Sequence, residues 1–186
     1  MTIRNIALAF AMLASVWSSA CFSGTPIDDE QIKQLLNIQG GTTPLAPGTA
    51  TCPGRSPCYQ ECTQQGMEEY LWKPINVKIA QADYGAAMAA SELSASILSV
   101  CALKKMGNDS FSLNTPNFTL PEWAAQIGSM LTFERISMQK RGFMETDKSR
   151  KTADRAMTFL VYAQQNGTYG ADKSLSMLRK SMPNSK

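Results

Sequence analysis

The sequence predicts an all-α fold, a small helical bundle of about five to six helices. It is expected to follow a cleaved signal peptide and to carry an irregular N-terminal segment tied by disulfides. Apolar residues recur at helical spacing in several stretches of the 186-residue chain. No run of alternating β-branched residues is long enough for a strand, and Met, Ala, Leu, Lys and Gln outnumber Val and Ile. These two observations indicate helices throughout.

The first twenty residues have the pattern of an export signal. Arg4 precedes an apolar run from Ile6 to Trp17, and small residues follow up to Ala20. The apolar run is too short to span a bilayer comfortably. We therefore predict that residues 1–20 are a signal peptide and that the mature chain lies in the periplasm or cell envelope.

Cleavage after Ala20 would leave Cys21 at the new N-terminus. A bacterial lipoprotein carries a lipid on a cysteine at this position, which would anchor the chain to a membrane. The alternative is plain cleavage, with Cys21 free or paired to another molecule. Ser18 is polar where lipoprotein sites usually have a branched apolar residue, so we favour plain cleavage.

The other four cysteines are candidates for disulfides, because an exported chain meets an oxidising compartment. They allow three connectivities, and the sequence does not choose among them. A bridge from the Pro- and Gly-rich segment to the most distant cysteine would contribute roughly 3 to 4 kcal/mol by closing a long loop. The four residues are Cys52, Cys58, Cys62 and Cys101.

Zinc binding is the alternative use of these thiols, and the sequence argues against it. The chain has no histidine and no paired C-x-x-C motif. We predict no metal site and no cofactor. The lack of histidine also removes the commonest general base and every triad that depends on it.

The chain divides into three predicted parts. Residues 1–20 are the signal peptide, residues 21–57 an N-terminal arm with a Pro/Gly-rich linker, and residues 58–186 the helical domain. The arm contains a short amphipathic helix from Asp28 to Ile38, with an acidic first turn. Gln39 to Pro57 then collects Gly, Thr and Pro, which is typical of a linker.

The longest predicted helix of the domain runs from Tyr84 to Leu103 and contains one charged residue before its end, Glu92. It has the length of a transmembrane helix, yet its many serines favour the central helix of a soluble bundle. Its small side chains would let another helix approach closely. The face predicted to be buried consists of Ala86, Ala90, Leu93, Ile97 and Cys101.

Start and stop signals bound the other helices. One begins near Tyr59, and Pro74 either ends it or starts a new helix. A capping box at Thr119-Leu120-Pro121-Glu122 starts a helix that reaches about Met144. The next begins at Thr146 or Ser149 and stops at Asn166-Gly167, and the last spans Asp172 to Met182, so these two form a hairpin. The predicted apolar stripes are Trp123, Ile127, Met130, Leu131 and Met138; then Ala153, Met157, Leu160, Val161 and Gln164; then Leu175, Leu178 and Met182.

Charge is distributed unevenly along the chain. Residues 21–134 carry 6 Lys and Arg against 11 Asp and Glu, whereas residues 135–186 carry 11 against 4. The basic cluster could contact anionic lipid, peptidoglycan acids or an acidic protein, although we favour a solvated turn. Nucleic acid is not expected, since no basic and aromatic platform is present. The cluster consists of Arg135, Lys140, Arg141, Lys148, Arg150, Lys151 and Arg155.

Glu134 is the weak catalytic candidate. It lies at helical spacing between Leu131 and Met138, where burial would raise its pKa toward that of a general acid. The alternative, which we favour, is that it pairs with Arg135, Arg141 or another cation. No hydrolase signature or accompanying carboxylate motif is present in the sequence.

These observations predict an exported binding or adaptor protein. We expect an accessory component of a bacterial cell-envelope assembly, secretion or conjugation apparatus, whose partners are other envelope or secretion proteins. A membrane surface is a further partner, reached through a lipid on Cys21 or the basic C-terminal region. The alternatives are a small periplasmic cell-wall hydrolase that uses a carboxylate and a disulfide-stabilised secreted effector.

Overall fold

The computed structural model describes residues 26–40, 60–107, 115–144 and 146–182, and within these ranges the chain is helical with no strand. The all-α prediction is confirmed. The predicted signal peptide, Cys21, Cys52 and Cys58 lie outside the described residues. Six helices have eight or more residues: α1 Asp29–Gly40, α2 Lys73–Ala80, α3 Tyr84–Gly107, α4 Leu120–Lys140, α5 Asp147–Gln165 and α6 Ala171–Lys180.

Helix α4 is the centre of the bundle, packed between α3 and α5. Helix α1 lies across α3 and touches α5, α2 packs on α3, and α6 packs on α5 and α4. The core is one contiguous cluster whose largest fully buried side chains include Leu98, Trp123, Ile127, Phe159 and Leu160.

Helix α1 is packed against the bundle. Asp28 caps it, because its Oδ1 accepts a hydrogen bond from the Gln31 backbone N–H at 2.8 Å. Ile32 and Leu36 are fully buried in the common core, and the Tyr162 hydroxyl donates to Asp29 Oδ1 at 2.6 Å. Residues 41–59 are not described, so the boundary placed at residue 57 stays a prediction.

The buried face of α3 matches the predicted one in part, since Cys101 is buried and Ala90 and Ile97 pack against the core. Leu93 is 54% exposed, whereas Ser91, Ser94 and Ser99 are buried. The hydroxyls of Ser91 and Ser99 donate to the carbonyl four residues earlier, each at 2.8 Å. Since these hydroxyls are satisfied within the helix, the serines can lie in the core as small residues.

Helix α3 is also the one helix in the described ranges that is long and apolar enough to cross a membrane, by length and composition alone. It spans 24 residues with a mean hydropathy of 1.6 over its most apolar window. In the structure it packs against α1, α2 and α4.

The predicted start and stripe of α4 are confirmed, whereas its end comes earlier. Glu122 Oε2 accepts hydrogen bonds from both the backbone N–H and the hydroxyl of Thr119. All five stripe residues are buried. The helix ends at Lys140 because Gly142, at φ +78°, turns the chain and lets the Phe143 N–H reach the Met138 carbonyl at 2.9 Å.

Helix α5 is capped by Thr146, whose hydroxyl accepts from the Ser149 N–H at 3.1 Å. Part of its predicted stripe is wrong, because Gln164 is exposed and the larger Phe159 and Tyr162 occupy the core side instead. Gly167, at φ +71°, ends the helix as predicted. In α6, Leu175 and Leu178 are buried as expected.

The chain that leads into α2 is a series of short helical turns. A 3₁₀ turn, Gln60–Cys62, is followed by Gln64–Gly66 and then by a π-helical segment, Met67–Trp72. Pro74 lies in the first turn of α2, which fits a new helix start. Cys62 is disulfide-bonded to Cys101 of α3, with 5.5 Å between their Cα atoms. The bond closes a separation of 39 residues and fixes this segment to the bundle.

Candidate functional site

Glu134, the candidate acid, lies in the interior where α3, α4 and α5 meet. Its side chain is 2% exposed, and its Oε1 lies 3.8 Å from the Lys148 ammonium of α5. Lys148 also donates to Glu92 Oε2 of α3 at 2.6 Å. We call Glu92, Glu134, Lys148, Thr152 and Arg155 the Glu134 cluster.

The pKa of Glu134 is raised to about 7, first because burial disfavours the charged form and then because Glu92 is a like charge. Lys148, Arg155 and the hydroxyl of Thr152 act in the opposite direction. Its Oε1 accepts no hydrogen bond from any described residue. The group therefore can hold a proton near neutral pH, but its carboxyl is enclosed by the core.

The Glu134 cluster continues into a hydrogen-bond network that reaches α1. Arg155 Nη1 donates to Gln39 Oε1 at 2.6 Å, and the Gln39 amide donates to Ser96 Oγ at 3.3 Å. The network therefore connects α1, α3 and α5 around Glu134. This arrangement is that of a structural junction, since Lys148, Arg155 and Gln39 each bond to a side chain of another helix.

The seven basic residues of the predicted anionic-partner surface have different environments. Arg135 is 2% exposed, and its Nη1 donates to the Met144 carbonyl at 3.2 Å, so it is not on the surface. Lys148 and Arg155 belong to the Glu134 cluster. Lys148 is itself exposed, and the exposed residues outside that cluster are Lys140, Arg141, Arg150 and Lys151.

Two of these exposed residues have close partners. Arg150 donates to Asp147 at 2.6 Å, and the Arg141 guanidinium lies 5.0 Å from the centre of the Phe143 ring. The structure therefore does not bring all seven cations to one free surface.

An open cleft lies between the turns that precede α2 and the beginning of α4. Its volume is about 360 Å³, at the lower end of the range for small-molecule sites. Its side chains are amides, a carboxylate, two aromatic rings and a thioether. The lining residues are Gln64, Met67, Glu68, Trp72, Asn76, Phe118 and Gln126.

The π-helical segment explains why one wall of the cleft is continuous. Gln64, Glu68, Trp72 and Asn76 are spaced by four residues. An α-helical turn has about 3.6 residues, so such a row would drift around a regular helix, whereas the wider π turn counters this drift. The segment therefore keeps Glu68 and Trp72, which lie within it, in register along the cleft, and π turns are frequent at functional sites.

The two aromatic rings of the cleft are held by other rings. Trp72 packs edge-on against Phe133, with ring centres 5.9 Å apart, and Phe118 packs edge-on against Trp123 at 5.1 Å. Such pairs restrain ring orientation. Both cleft rings are half-buried, so the rings are presented by the core and not by mobile surface turns.

The sequence reasoning missed this cleft. The only signal available in the sequence was the four-residue spacing of polar and aromatic side chains in a segment with a weak apolar stripe. Within the described part of the chain, no group of three or more Cys, Asp or Glu residues is placed to hold a metal ion. No protein-family model, curated protein or solved structure matches the chain.

Proposed function

We propose that this chain is an exported binding or adaptor protein that works by contact, as an accessory component of a bacterial cell-envelope assembly, secretion or conjugation apparatus. The observation that carries the binding role is the open cleft beside the π-helical segment. Aromatic, thioether and amide side chains line it, and these groups are typical of recognition sites. The predicted signal peptide supports the location.

The disulfide supports the same proposal. Cys62 lies directly before the wall formed by Gln64, Glu68 and Trp72, and its bond to Cys101 fixes that wall to α3. A rigid wall loses less conformational entropy on binding, which raises affinity. Attachment to a membrane through Cys21 or the exposed basic residues is part of the proposal, because either would place the cleft at the envelope.

The hydrolase alternative depends on Glu134. A pKa near 7 suits a general acid, but a general acid must come within hydrogen-bond distance of its substrate. Glu134 is enclosed between α3 and α5, where its nearest charged partner is Lys148. We therefore favour the binding role over hydrolysis.

Photocrosslinking tests the proposal. A photoreactive amino acid at position 126, inside the cleft, is compared with the same amino acid at position 93, where Leu93 is exposed on α3 outside the cleft. The full chain is expressed with its own leader in bacterial cells. We expect an adduct with an envelope component at position 126 and none at position 93.

Two results would contradict the proposal. Equal labelling at both positions, or none at position 126, would remove the cleft as the binding site. Retention of residues 1–20 on a chain found only in the cytosol would remove the envelope location. Intact mass of the product reports the cleavage site and any lipid on Cys21 in the same sample.

A further inference from the structure

We propose that the cleft binds a neutral saccharide, presented as a short segment of an oligosaccharide or glycan chain. This deepens the proposed function, on which it rests, because it names the ligand class of the same cleft. The feature that points to it is the combination of half-buried rings with amide side chains, together with the lack of any cationic residue among the described residues of the lining.

The aromatic rings supply the apolar part of recognition. A sugar ring has faces of C–H groups that pack on an aromatic face, where they lose contact with water. Trp72 and Phe118 line the cleft while each packs edge-on against another ring. They therefore offer rings that do not have to be ordered when a ligand binds.

The polar side chains match hydroxyl groups. Gln64, Asn76 and Gln126 carry amides, and each amide both donates and accepts hydrogen bonds. Glu68 adds an acceptor for a hydroxyl proton. A sugar hydroxyl also donates and accepts, so the two sets of groups can satisfy each other without a charge on the ligand.

The charge of the cleft disfavours anionic ligands. In the part of the chain that the structure describes, Glu68 is the one charged residue of the lining, and it would repel phosphate, carboxylate and acidic proteins. The nearby cation, Lys73, is paired with Glu69 at 3.0 Å. Glu68 is exposed to water, which weakens its interaction with ions of either sign, so the uncharged amides and rings decide the ligand class.

Titration of the full chain with chitotetraose and with maltotetraose tests the proposal. Binding is followed by calorimetry and by the change in tryptophan fluorescence, since Trp72 lines the cleft whereas Trp123 is buried. We expect saturable binding of at least one saccharide. Gln126→Ala and Asn76→Ala should each weaken it about fivefold, the effect of one lost hydrogen bond. The matched control is Tyr70→Ala, at an exposed ring outside the lining.

A third titration uses tetralysine, which would bind if the cleft recognised cations. Saturable tetralysine binding without saccharide binding overturns the proposal. So does saccharide binding that Gln126→Ala and Asn76→Ala leave unchanged, or no saturation by either saccharide. In these cases an adduct at position 126 with a protein would still uphold the proposed function, so the two failures are distinguishable.

Discussion

The Glu134 cluster and the cleft are both polar regions built on α4, but they differ in where their polar groups point. In the cluster, Lys148 and Arg155 direct their charges toward other helices, and Glu134 lies in the core. In the cleft, the amide of Gln126 and the carboxylate of Glu68 line a space that is open to solvent. The cluster is closed by Lys148 of α5, whose ammonium lies 2.6 Å from Glu92 of α3 and 3.8 Å from Glu134. The cleft is open to solvent.

This difference shows why a glutamate's position along a helix does not by itself identify a site. Glu134 has the raised pKa expected of a catalytic acid, yet burial is the first cause of that shift and also what separates it from substrate. Glu68, in contrast, lines a cleft that is open to solvent. The useful distinction is therefore between polar groups that are buried against other parts of the protein and polar groups that a ligand can reach.

The largest effect is expected from removing the disulfide. A chain with Cys62→Ala and Cys101→Ala should lose about 4 kcal/mol of unfolding free energy, because the unfolded chain regains the freedom of a 39-residue loop. Urea denaturation measures the loss. Hydrogen exchange should rise most in residues 60–80, next to the cleft, and less around Glu134. Wild-type protein treated with a reductant is the control. An equal rise in hydrogen exchange in residues 60–80 and around Glu134 would contradict the prediction that the disulfide mainly stabilises the cleft region.

Matched glutamate substitutions give the next largest effect. The pKa of Glu134 is about 7 in the folded chain, against 4.5 for a glutamate carboxyl in water, so between these pH values only the folded chain holds the proton. Unfolding free energy should therefore fall by about 3 kcal/mol as pH rises through this interval.

Glu134→Gln should abolish that fall and make the protein more stable than wild type at pH 8. Glu68→Gln, the same change in the cleft, is the control and should retain the fall that Glu134 produces. Denaturation from pH 4 to pH 9 measures both. The burial of Glu134 would be contradicted if the unfolding free energy of the wild type did not depend on pH, or if all three proteins had the same pH dependence of stability.

Two positions on α4 compare its closed and open sides. A Cβ at Gly128 would lie 2.7 Å from Leu160 Cγ of α5, so Gly128→Ala should cost about 1 to 2 kcal/mol through overpacking. Gln126→Ala, two residues earlier, should change stability by less than about 0.5 kcal/mol. Thermal unfolding of both variants measures whether Gly128→Ala loses more stability than Gln126→Ala. Equal losses would mean that the cleft side is packed as tightly as the α5 side.

A small effect on stability is expected at Lys148. Its ion pair with Glu92 is about half exposed, so Lys148→Gln should cost less than about 1 kcal/mol. The same change removes a cation that lowers the pKa of Glu134, so that pKa should rise further. Carbon NMR of the Glu134 carboxyl reports it, and Lys140→Gln is the control. If the pKa of Glu134 were the same in Lys148→Gln as in wild type, the contact between Lys148 and Glu134 would be excluded.

The sequence correctly predicted features that depend on residues close to one another along the chain. Thr119 and Glu122 form the expected capping box, Gly167 ends α5, and Glu134 lies where its spacing put it. Its nearest cation is Lys148 of the next helix and not Arg135 or Arg141. The choice of partner depends on how α4 and α5 pack.

Two other features could not be found from the sequence. The buried face of α3 was predicted only in part, because hydropathy counts a serine as polar, whereas Ser91 and Ser99 satisfy their hydroxyls inside the helix. The cleft escaped detection because its walls come from distant segments, with Trp72 on one side and Phe118 on the other. Local periodicity contains no information about that pairing.

The bond between Cys62 and Cys101 also gives the molecule an order of maturation. The disulfide forms only when two electrons are removed from the thiols of Cys62 and Cys101. Until then this bond does not tie the wall ahead of Trp72 to α3, and afterwards it does. A chain kept reduced would present a looser cleft. Ligand affinity would then report whether the protein had passed through an oxidising environment.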